Sequence, residues 1–208
     1  MTDYLLIGLG LGISSGFAPG PLLALVVAET LRYGLKAGLR VALAPLVSDL
    51  PVILLALLIV RELYEVSWGL GMIALVGGIF ILIIGIATLR RNVLKDDLGR
   101  PVSAHSLLKG VVANLLNPHP YLFWIGVGVP IMSKALSFGV ASLAAFIICF
   151  YLGLLGALMS VAALVSRSRS FLEGAIYRGL LRLIGVLLCL FAMKLFYDGL
   201  KLLGLIGG

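Results

Sequence analysis

The stretch Gly16-Phe17-Ala18-Pro19-Gly20-Pro21 lies inside an apolar run from Tyr4 to Ala28, and its reading decides the fold. Pro19 and Pro21 each remove a backbone donor and crowd the preceding turn, and Gly20 adds no side chain to hold a helix together. The run is long enough to cross ~30 Å of hydrocarbon, yet a helix carrying this insert cannot be continuous. It is expected as two half-helices joined by unwound backbone, which survives in a bilayer only where protein or a water-filled cavity covers it. The chain does this again in Asn114-Leu115-Leu116-Asn117-Pro118-His119-Pro120. Pro19 and Pro21 precede Pro118 and Pro120 by 99 residues each. Paired Pro/Gly-interrupted apolar segments at matching positions of two halves point to the substrate site of a small membrane transporter.

Composition agrees. Of the 208 residues, 62% are hydrophobic and 12% charged, against about 25% charged in soluble domains. So apolar a chain needs lipid as its main solvent. The net charge of +7 would suit nucleic acid, but the basic residues sit in short loops between apolar runs, as membrane topology requires. Cys149 and Cys189 lie inside apolar segments without metal-ligand spacing and read as small buried hydrophobes. Met1-Thr2-Asp3 carries no positive charge before the first run, so no cleaved signal peptide is expected.

Six runs have spanning length, roughly Tyr4–Ala28, Val41–Val60, Gly69–Leu89, Leu107–Ile131, Leu136–Val165 and Leu180–Leu203. Arg32, Lys36 and Arg40 fall between the first two. Arg90, Arg91, Lys95, Arg100 and Lys109 fall between the third and fourth, and Arg167, Arg169, Arg178 and Arg182 between the last two. That puts 12 of the 16 Lys/Arg on one side, expected to be the cytoplasm. Both termini would then lie outside, with Arg61-Glu62 and Lys134 in external loops. The expected fold class is an all-α membrane protein of six transmembrane helices in one domain, residues 1–208. With three helices per half, the pseudo-repeats (about 1–95 and 100–208) are inverted, and helices one and four are broken. Gly8, Gly12 and Gly16, four apart, form a smooth stripe for close helix packing and offer one surface for a dimer.

Asp49 is the most informative single residue. It lies near the middle of the second run between Pro45 and Pro51, where a carboxylate costs about 2.5–3.5 kcal/mol on insertion scales. It reads as a proton-coupling group or a counter-charge to a cationic substrate; the structural alternative is a carboxyl bonded to backbone freed by the prolines. At the breaks, half-helix N-termini suit a carboxylate, and unwound carbonyls and C-termini suit an ammonium. Pro19, Gly20, Pro21, Pro118 and Pro120 are therefore candidate site residues, against the plainer reading that they only shape the bundle. Asn114 and Asn117, a turn apart, either cap the second half-helix or bind substrate. His119 either contacts a ligand or bonds freed backbone. Lys194 and Asp198 have the spacing of a helix-face pair, a possible coupling pair or two snorkelling ends. Glu29 reads as interfacial. Tyr64, Trp68 and Tyr197 suit a belt, whereas Tyr121, Phe123 and Trp124 either line a pocket or pack. No metal-ligand cluster, Ser-His-Asp set or phosphate loop stands out, so neither an enzyme nor a cofactor is expected.

These residues resemble the lysine exporter (LysE/RhtB-type) family of amino-acid efflux transporters. The resemblance rests on Gly16-Phe17-Ala18-Pro19-Gly20-Pro21, on Tyr33-Gly34-Leu35-Lys36-Ala37-Gly38, on Asp49, and on Lys109-Gly110-Val111-Val112-Ala113-Asn114-Leu115-Leu116-Asn117-Pro118. It covers essentially the whole chain. It implies export of amino acids or related metabolites across a bacterial or archaeal plasma membrane, driven by protons or membrane potential, by a homodimer. Familiar members lack prolines flanking the acidic residue, and many carry lysine where His119 stands. Export of an inorganic cation is the alternative within transport. A non-transporting membrane protein is the alternative outside it.

Overall fold

The computed structural model describes residues 2–59, 63–90, 105–169 and 175–206. Arg61, Glu62, Arg91, Lys95 and Arg100, used above to assign loops, lie outside the described residues. Among those described every element is helical: α1 (Thr2–Phe17), α2 (Pro21–Tyr33), α3 (Leu35–Ala42), α4 (Ala44–Ile59), α5 (Leu63–Arg90), α6 (Ser106–Leu115), α7 (Pro118–Phe123), a π-helical turn (Trp124–Gly128), α8 (Val129–Ser137), α9 (Val140–Arg169) and α10 (Ala175–Leu202).

Helix α1 stops where the first proline pair begins. The axis turns by 63° between α1 and α2, with Gly20 extended and Pro21 opening the new helix, a position where its missing N–H is no loss. In the second break α6 ends at Leu115 and α7 starts at Pro118. Among the described residues, four helices are long and apolar enough to cross a membrane, or five with the bent α1–α2 pair counted as one span. This is fewer than the six apolar runs. The fourth run is divided into α6, α7, the π turn and α8, and no piece alone reaches spanning length.

Two long helix pairs form the frame, α1 with α9 and α5 with α10. The stripe of Gly8, Gly12 and Gly16 packs on the backbone of α9 at Phe146, Phe150 and Leu154, so it is used within the bundle. A Cβ at Gly12 would collide with the Phe150 carbonyl. Gly77 of α5 likewise meets the Leu116 carbonyl at the second break, bringing a long straight helix against the unwound segment. The core joins Leu25, Leu31, Val41, Val52, Trp124, Phe146 and Phe150. Leu50, Leu54, Ile79, Ile83, Ile148, Leu152 and Met193 are exposed on the outside, as a lipid-facing surface requires. Trp68 and Tyr197 are exposed as well.

Candidate functional site

The two breaks face a common cavity of about 520 Å³, into which α2, α4, α6, α7, α9 and α10 all contribute. Pro19 and Gly20 border it from the first break; Asn117, His119 and Pro120 border it from the second. Asp49, Asn114 and Lys194 complete its polar lining. Pro21 is buried beside it, in a small adjoining hollow shared with His119 and Lys194. Pro118 is buried as the first residue of α7. Most of the remaining wall is apolar, including Leu22, Leu23, Phe123, Trp124, Phe150 and Leu154.

Asp49 is only 4% exposed, and its partners are neutral side chains. Asn114 Nδ2 donates to Asp49 Oδ1 at 2.8 Å and to Ser48 Oγ at 2.8 Å. Tyr151 donates its hydroxyl to Asp49 Oδ2 at 3.4 Å. Ser48 in turn donates to the Ala44 carbonyl at 3.0 Å. The structural alternative had Asp49 bonded to proline-freed backbone; the partners are instead Asn114 and Tyr151, on two other helices. A carboxyl held only by neutral donors keeps its charge uncompensated, which suits it to a cation or a proton.

Of the two asparagines, one takes the capping role expected for them and the other bonds a neighbouring helix. Asn117 caps α7, its Oδ1 accepting from the His119 amide at 3.2 Å, as an N-cap should. Asn114 turns away from the break to Asp49. Tyr121 closes the other side of the break by donating to the Leu115 carbonyl at 2.9 Å, satisfying an acceptor that the end of α6 leaves open. Phe123 and Trp124 face the cavity, Phe123 stacked on Phe150 with ring centroids 5.3 Å apart.

Lys194 and Asp198 part company. Asp198 lies 4.0 Å from His119 Nε2, linking α10 to the second break, while Lys194 points to the cavity and no carboxylate pairs with it among the described residues. Glu29 departs from its interfacial reading: it is 2% exposed and bonded to Ser106 and Lys109. Ser48, Tyr151 and Ser106 were not singled out by sequence reasoning. A serine or tyrosine in an apolar helix gives no signal until the fold shows what it faces.

No group of three or more His, Cys, Asp or Glu side chains among the described residues could hold a metal ion. Comparison with curated proteins and with solved structures returned no match. A family model, described as LysE type translocator, matches residues 13–199. That range takes in both breaks, Asp49, Asn114 and Lys194, and on this match the chain belongs to the LysE type translocator family.

Proposed function

We propose that this protein is a secondary-active exporter of amino acids or related small metabolites, coupled to the proton motive force. The observation that carries the reading is a cavity with an acid at one place and a base at another. Asp49 and Lys194 line the same space, neither neutralised by an opposite charge among the described residues. A zwitterion complements both: its ammonium at Asp49, its carboxylate toward Lys194 and the free N–H groups that open α2. Those first amides belong to Leu22 and Leu23, which line the wall. The direction, out of the cell, is taken from the family.

The architecture we propose is six spans in two inverted three-helix repeats, with α1–α2 and α6–α8 as the broken first and fourth spans. Its support is the pattern of neighbours. The first span packs on the fifth and the fourth packs on the second, while the third packs on the sixth. A two-fold axis in the membrane plane exchanges the first two pairings and maps the last onto itself. In the same proposal the basic loops face the cytoplasm of a prokaryote, both termini are outside, and two copies form a homodimer.

The test is counterflow in proteoliposomes with a panel of radiolabelled amino acids, wild type against Asp49→Asn. Wild type should exchange one chemical class. The variant, isosteric but unable to ionise, should lose at least about 90% of that flux or its dependence on a pH gradient. Flux of a divalent metal ion with none for any amino acid would move the reading to cation export. Unchanged, pH-dependent flux through Asp49→Asn would return Asp49 to a structural role.

A further inference from the structure

Beyond the cavity, toward the end of the bundle that bears Lys36, Arg40 and Arg167, the two halves are joined by one buried carboxylate. Glu29 sits in the last turns of α2, and both of its oxygens are taken by α6. Ser106 Oγ donates to Oε2 at 2.6 Å, and Lys109 Nζ donates to Oε1 at 2.7 Å. The Glu29 side chain is 3% exposed and that of Lys109 32%, so the pair spans from the interior to the rim. Lys109 also lies over the Tyr33 ring, 5.5 Å from its centroid, and Arg32 donates to the Ala87 carbonyl of α5 at 3.3 Å.

The placement of this junction along its two helices matters more than its strength. On α2 the cavity wall is Leu22; one turn on come Leu25 and Val26, both fully buried; one turn further comes Glu29. On α6, Lys109 lies five residues before Asn114, a rise of about 7.5 Å, and Asn114 holds Asp49. Each helix therefore has one end at an unwound break in the cavity wall and carries the junction toward its other end. Two short helical arms, each rooted at an unwound break, are pinned together across a plug of buried side chains.

We infer that Glu29 with Ser106 and Lys109 is a latch between α2 and α6 that closes the cavity toward the basic-loop end and opens once per transport cycle. The inference rests on the transporter reading for its purpose, though not for its first test. Hinge motion at the Ala18–Gly20 and Leu116–Asn117 breaks would part α2 from α6, and Asn114 would carry the state of Asp49 to the latch through α6.

The first test needs no substrate. In a chain with Cys149 and Cys189 replaced by serine, Leu25→Cys is buried behind the latch and should react slowly with a membrane-impermeant maleimide applied from the basic-loop side. Adding Glu29→Gln should speed that reaction by about tenfold, by raising the share of the open state. The exchange Glu29→Lys with Lys109→Glu should restore the slow rate. Retained folding of each variant is checked by a monodisperse elution profile. Equal labelling with and without Glu29→Gln in folded protein would overturn the latch while leaving the transporter reading intact. The second test joins Glu29→Cys to Lys109→Cys with a short cleavable bis-methanethiosulfonate. Bridged protein should transport more slowly than the same double variant before bridging, and should recover that variant's rate on reduction. Transport undiminished by the bridge would show that α2 and α6 never part.

Discussion

At the scale of single residues, the centre of the site is the Asn114 amide. Its two N–H groups serve Ser48 and Asp49 at 2.8 Å each, so one side chain from α6 fixes two consecutive residues of α4. Asn114→Leu keeps the volume and removes both donors, leaving buried acceptors without partners at about 1–3 kcal/mol each. The expected outcome is a lower thermal midpoint in detergent and more than about tenfold lower flux, since Asp49 loses its orientation. Ser48→Ala, which leaves the Asp49 bond in place, should retain most of the flux. Thermal unfolding beside counterflow separates the two effects, and equal behaviour of both variants would show that Asn114 does not orient Asp49. Asp49 itself was legible in the sequence because an acid in an apolar run is costly wherever it lies. Its partners were not. Tyr151 is 102 positions away in chain order, and nothing about a tyrosine in an apolar helix says what it faces. Glu29 was misread for a related reason. Close to Arg32 in sequence it looked like part of the rim, whereas its partners Ser106 and Lys109 come from a segment 77 and 80 residues on.

Among elements, the α1–α9 pair shows how far a small-residue pattern can be taken. The four-residue spacing of Gly8, Gly12 and Gly16 announced a close approach but left the partner open, and a second copy of the chain was one candidate. The partner is α9, whose own Gly153 meets the backbone of Leu9 and Gly12 in return. The contact is therefore mutual backbone-to-backbone packing, as small residues allow between membrane helices. It separates two neighbouring positions sharply. Gly12→Ala puts a methyl group against the Phe150 carbonyl, while a Cβ at Gly10 meets nothing within 4 Å. Gly12→Ala should destabilise by about 1–3 kcal/mol through overpacking. Gly10→Ala should be neutral or stabilising by about 0.5–1 kcal/mol, as glycine is a poor helix former. Thermal melts of the two variants in the same detergent decide it. Similar midpoints would mean that α1 and α9 do not approach as closely as described. The fourth run shows the opposite limit of sequence pattern. Hydropathy alone read Leu107–Ile131 as one span, but Pro118, Pro120 and the π turn divide it, and length loses meaning once the axis is broken.

For the whole molecule, the question is which end of the bundle faces which compartment, because both the latch and the direction of transport are defined against it. The proposed orientation rests on charge: Lys36 and Arg40 lie in α3 and Arg167 near the end of α9, whereas Lys134 lies in the last turn of α8. In that proposal an inside-negative potential retains the basic segments in the cytoplasm. Three spans in each half, as proposed, would make the halves inverted and would let two broken helices meet in one cavity from opposite directions. Single cysteines in a background with Cys149 and Cys189 replaced test the arrangement in intact cells. Thr2→Cys, Lys134→Cys and Leu205→Cys are all at exposed positions and should react with an impermeant thiol reagent added outside. Lys36→Cys, also exposed, should react only after permeabilisation. Labelling of Lys36→Cys in sealed cells, with Lys134→Cys protected, would invert the molecule and turn the latch into an external gate. A mixture in which Thr2→Cys and Leu205→Cys fall on opposite sides would require an odd total number of spans. That result would remove the inverted repeat altogether, and with it the reason for two matched breaks to face one another.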